Sequence, residues 1–182
     1  MENVFIFSSD VETIKTGYSD EGQKGHGIER VSTLVEERDL VERLRNIYPL
    51  GRCFIWGAQE TEDNYLLWLE MEAEDFILGV RGRSIISAAR ILMKQKAPGL
   101  AAGVWDSEAG APFSLICFMD EPLTGEAAIE PSMSRYLDAG AGEFKKLAAE
   151  KRDCMLSDYA SILNFVRLGL GFDFPFSLRH SE

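Results

Sequence analysis

The chain has 182 residues, 46% of them hydrophobic and 27% charged, and a net charge of −11. That length fills one domain and is too short to demand two independent cores, and the composition is that of an ordinary soluble globular protein. No apolar run approaches the length of a membrane span, and the opening MENVFIFSSD carries acid where a signal peptide needs base, which predicts a cytoplasmic protein with no membrane partner.

Three cysteines, Cys53, Cys117 and Cys154, are isolated and set in apolar surroundings, so they read as small core residues and not as a disulfide framework or a metal site. An acidic body repels a polyanion, so any contact with nucleic acid needs a local concentration of cations. One stretch supplies it. From Arg81 to Lys96 there are five basic residues, Arg81, Arg83, Arg90, Lys94 and Lys96, and no acidic one. They form either a phosphate-binding edge or a solvated strand edge.

In chain order, Val4 to Phe7 is an apolar run that predicts a strand, and Lys15 to Gly27 (KTGYSDEGQKGHG) reads as a long loop with His26 exposed in it. Leu34, Val35, Leu40, Val41, Leu44 and Ile47 recur at helical spacing, predicting an amphipathic helix over 33–48 with a break near Arg38 and a stop at Pro49 and Gly51. Residues 1–50 therefore read as an N-terminal extension docking on a main domain, 51–182. In that domain RCFIWGA predicts a strand ending at Trp56-Gly57, DFILGV a buried strand, and RSIISAARILMK a longer strand, with helix as the alternative. Between the first two lies Tyr65 to Met71, apolar around Trp68.

PFSLICFM is apolar on both faces and bounded by Asp120-Glu121-Pro122, the signature of a central strand. The polar, small-residue run Asp106 to Ala111 precedes it as a loop, which places Trp105 at the lip of a sheet as a core plug or a stacking platform. Helices are expected at 123–129, 132–137, 143–151 and 157–168, followed by an apolar tail, GFDFPFSL. Strands concentrated between 52 and 119, with helices interleaved and trailing, predict an α+β domain around a curved mixed sheet or small barrel.

Catalytic chemistry finds few supports. His26 and His180 fall in loop and tail, the carboxylates Glu70, Glu72, Glu74 and Asp75 have no matching ligand set, and no nuclease-like cluster of acids and lysine is present. The expectation is a protein with no catalytic residues, no metal and no cofactor.

The stretch LAAGVWDSEAGAPFSLICFMDEP resembles the corresponding part of YTH domains, and RCFIWGAQETEDNYLLWLEMEAEDFILGV resembles the related EVE-type domains of modification-dependent restriction proteins. Both are PUA-like, and the likeness runs from about residue 51 to 170. It implies an open β-barrel surrounded by helices, and a non-catalytic reader that holds a modified base in an aromatic cage. The base would be flipped out of DNA in preference to RNA, and a nuclease or NTPase domain or subunit would be the partner.

Carried onto this chain, the resemblance makes Trp105 one cage wall and Trp68 another. It puts Trp56 at the end of the pocket-entry strand and Asn64 near the position for a polar contact with the base edge. Two departures stand out: small residues, Ala109 to Ala111, replace a third wall, and Glu74-Asp75 replaces the usual Gly-Asp. They imply a wider pocket. The alternatives are an RNA-binding YTH-like reader and a protein-interaction module that uses the acidic surface.

Overall fold

The structure, a computed structural model, describes residues 2–8, 25–35, 37–104, 113–137 and 144–172. Trp105, the loop 106–111, His180 and most of the apolar tail lie outside the described residues. The chain divides into two compact units, one of residues 1–11, 74–90 and 122–182, the other of residues 12–73 and 91–121.

In the first unit, β4 (Phe76–Arg81) lies between β1 (Val4–Ser8), to which it is parallel, and the first half of β5 (Ser84–Lys96), to which it is antiparallel. A strand paired on both edges and covered on its faces must be apolar throughout, which is why FILGV reads as a continuous run. Gly79 is required there: a Cβ would overlap Ser87 Oγ and come within 2.9 Å of the Phe7 ring. β7 (Leu123–Ala128) pairs with residues 84–88 of β5, and β8 (Lys145–Lys146) with β1. Val4, Ile6, Leu78 and Val80 pack against Met155, Ile162, Phe165 and Val166 of the C-terminal helices.

In the second unit, β6 (Leu115–Met119) lies between β3 (Arg52–Ala58) and residues 91–96 of β5, the central position its two apolar faces predict. β2 (His26–Gly27) pairs with the outer edge of β3. The helices here are α1 (Ile28–Leu34), α2 (Arg38–Ile47), α3 (Glu62–Glu70) and α4 (Pro98–Val104). The break predicted near Arg38 separates α1 from α2, and α2 buries the i, i+4 pair Leu40 and Leu44. Tyr48, just past its end, donates its buried hydroxyl to the Met119 carbonyl at 2.6 Å.

Hydrogen bonding runs in the order β2-β3-β6-β5-β4-β1-β8, with β7 on β5. Register shifts at Ile85/Ser87 and Ile91/Met93 mark bulges in β5, which bend a strand. The result is a curved, unclosed mixed sheet with helices, as the sequence predicts.

Several elements differ from expectation. Residues 123–128 form β7 and not a helix, because the edge of β5 at 84–88 takes up their backbone groups. The stretch 132–137 is a 3-10 turn over Pro131–Arg135, and 145–146 is the bridge β8, with α5 starting at Ala149 and ending at Tyr159. The helix expected over 157–168 is broken where Ala160 takes φ 64°; Ser161 then caps α6 (Ile162–Asn164), which runs into a π-turn at Phe165–Gly169. His26 is buried and paired across β2–β3, where an exposed loop residue was expected.

Candidate nucleic-acid interface

Thr61 caps α3 by accepting the Asn64 N–H, and the Asn64 side-chain amide donates to the Gln59 carbonyl at 3.0 Å. Asn64 thus fixes the turn that presents Glu60. Glu60 in turn receives Lys96 Nζ on Oε1 and Ser114 Oγ on Oε2, the latter at 2.9 Å. These two bonds hold its carboxyl below the usual carboxylate range, so it is ionised at neutral pH.

Alternation along β5 puts Lys94 and Lys96 on the face that meets α3. Lys94 Nζ donates to the Trp68 and Leu69 carbonyls at 2.9 and 2.6 Å, closing the C-terminal end of the helix, and sits 5.0 Å from the Trp68 ring centre. Lys96 Nζ lies 6.0 Å from the ring of Tyr65. Tyr65 and Trp68 are stacked with centroids 6.2 Å apart.

The two described indoles are interior. Trp56 is 1% exposed in the middle of β3, and Trp68 is 8% exposed with its N–H donated to the Ile116 carbonyl at 3.2 Å. Tyr65, 38% exposed, is the aromatic of α3 that presents surface, with Leu66 and Leu69 beside it. Of the predicted cations, Lys94 and Lys96 come together here. Arg81 and Arg83 are exposed at the β4–β5 turn of the other unit, and Arg90 there pairs with Glu74 at 2.9 Å.

Sequence reading missed Glu60, Tyr65 and Ser114. The signal for Glu60 was its place just ahead of a Thr-capped helix, a pattern that only the helical assignment of 62–70 makes visible. Among the described residues no three His, Cys, Asp or Glu side chains converge as a metal site, and no helix is long and apolar enough to cross a membrane.

The fold class is therefore α+β, built on an unclosed mixed sheet that has eight strands among the described residues. Among solved structures, the chain is similar to the N-terminal domain of Thermococcus gammatolerans McrB bound to m5C DNA, with TM-score 0.61 and 15% identity over 89% of this chain and 99% of that one. A solution NMR structure of a Rhodopseudomonas palustris protein aligns at TM-score 0.41 and 13% identity, over 85% and 91% of the two chains. No protein-family model and no curated protein matches the sequence.

Proposed function

We propose that the protein is a non-catalytic reader of a modified nucleobase, flipped out of DNA, and serves as the specificity module of a modification-dependent restriction or defence system whose cleavage resides in a separate nuclease or NTPase domain or subunit. The observation that carries this reading is the fold shared with the McrB N-terminal domain, a domain whose structure is bound to m5C DNA. The resemblance to EVE and YTH domains points the same way and assigns Trp105 to a wall of the base pocket. Trp68 backs Tyr65, and the exposed Tyr65 ring supplies the stacking surface. Extruding a base costs a few kcal/mol, of the order that one or two stacking contacts return. Phosphate contacts fall to the cations of the 81–96 segment, Arg81 and Arg83 first.

The test is a binding screen with duplexes carrying methylated or hydroxymethylated bases. Saturable binding to a modified duplex, lost in Trp105→Ala and absent for the unmodified duplex, is the expected result. Indifference to every modification on the panel would overturn the reading.

A further inference from the structure

Glu60 and Lys96 carry more hydrogen-bonding capacity than their contacts use. An ionised carboxylate has about four acceptor positions and an ammonium three donors. Among the described residues Glu60 accepts one bond on each oxygen, from Lys96 and Ser114, and Lys96 donates to Glu60 alone. The remaining capacity sits on side chains that are 42% and 48% exposed.

Both groups are held in place. Ser114 is buried and its carbonyl accepts the Ala97 N–H at 3.0 Å, and the Asn64 amide fixes the turn before α3. An acceptor and a donor are thus fixed side by side next to the exposed ring of Tyr65.

We infer that Glu60 and Lys96 read the Watson–Crick edge of a flipped base bearing an exocyclic amine, cytosine or adenine, while Tyr65 lies against its face. The inference rests on the modified-base reading above. In both bases the amine is a donor and the adjacent ring nitrogen an acceptor, so the amine donates to Glu60 and the ring nitrogen accepts from Lys96. Thymine, uracil and guanine present a carbonyl oxygen and a ring N–H in those places. Carbonyl would then face carboxylate and N–H would face ammonium, and both contacts repel. A methyl group on the cytosine ring, or in place of one amine hydrogen of adenine, leaves the donor and acceptor intact, so the pair selects the base and the pocket walls select the modification.

The experiment measures binding of the full chain by fluorescence anisotropy to duplexes carrying one central 5-methylcytosine, N6-methyladenine or thymine, each opposite an abasic site so that extrusion costs are alike. The wild-type chain is expected to prefer at least one of the two amine-bearing bases over thymine, and the two arms tell which. Glu60→Gln removes the charge and leaves one amide oxygen as acceptor, already engaged by Lys96, and should lower affinity for the amine-bearing base roughly tenfold and narrow the preference over thymine. Tyr65→Leu should weaken all three duplexes alike. Thermal midpoints check folding; should Glu60→Gln not fold, Lys96→Leu, an exposed position, reads the same edge. An unchanged preference in the edge variant, or a wild-type chain that prefers neither amine-bearing base over thymine, overturns the inference and leaves the reader function standing. Matching duplexes with unmodified cytosine and adenine complete the set, and a wild-type chain that binds them as tightly as their methylated counterparts overturns both.

Discussion

Glu74 has φ 77°, the left-handed region that glycine enters freely and an L side chain enters at a cost of about 1–2 kcal/mol. The next residue, Asp75, is buried and accepts the Asn3 backbone N–H at 2.7 Å, which ties the start of β1 to the start of β4. The exposed Glu74–Arg90 ion pair returns little. Glu74→Gly should therefore raise stability by about 1 kcal/mol, read as a higher urea midpoint at unchanged slope. At the same scale, burial pushes the thiols of Cys53 and Cys117 from 9.0 up to about 12. In the unfolded chain they ionise near 9 while the native chain keeps their protons. Stability is therefore complete below pH 9 and falls as pH rises from about 9 toward 12. Urea midpoints taken across that range should decline, and Cys117→Val, which removes one of the two groups, should make the decline shallower.

At the scale of elements, α1 and α4 meet at a glycine. A Cβ on Gly103 would overlap the Leu34 side chain, so the last turn of α1 sits directly on α4, the helix that leads into Trp105. Gly103→Ala should destabilise by about 1–3 kcal/mol in chemical unfolding, and Leu34→Ala in the same chain should recover part of the loss, a non-additive pair that a double-mutant cycle measures. The sequence displays such elements unevenly. PFSLICFM and DFILGV announce central strands because burial on both faces leaves a continuous apolar run. α2 announces itself through Leu40 and Leu44. LTGEAA has neither period, and becomes β7 only because β5 has an edge to pair. α3 was illegible for the opposite reason: YLLWLEM is apolar nearly all round, so its exposed Leu66 and Leu69 hide the helical stripe that Trp68 buries. The candidate site inherits that difficulty. Lys94 and Lys96 were visible as part of a basic segment, but Glu60, Tyr65 and Ser114 meet only once α3 and the strand pair β5–β6 are in place.

On the scale of the whole molecule, the net charge of −11 bears measurably on the proposed reading of DNA. Each phosphate contact on duplex DNA adds about −0.9 to the slope of log affinity against log salt, so five cations would give about −4.5 and two about −1.8. Three of the five candidates already carry contacts: Arg90 with Glu74, Lys94 with the end of α3, and Lys96 with Glu60. Arg81 and Arg83 are the exposed remainder, presented by a turn whose Gly82 takes φ 59°. The slope for a modified duplex is therefore expected near −2, and a slope of −4 or steeper would show that the engaged cations exchange their partners for phosphate. Arg81→Gln with Arg83→Gln should weaken modified and unmodified duplexes by the same factor and flatten the slope further, leaving the preference between them unchanged. With so little attraction to the backbone and an acidic body opposing it, discrimination by the proposed reader has to come from its contacts with the base. The ratio of modified to unmodified affinity should accordingly hold steady from 50 to 300 mM salt while both affinities fall together.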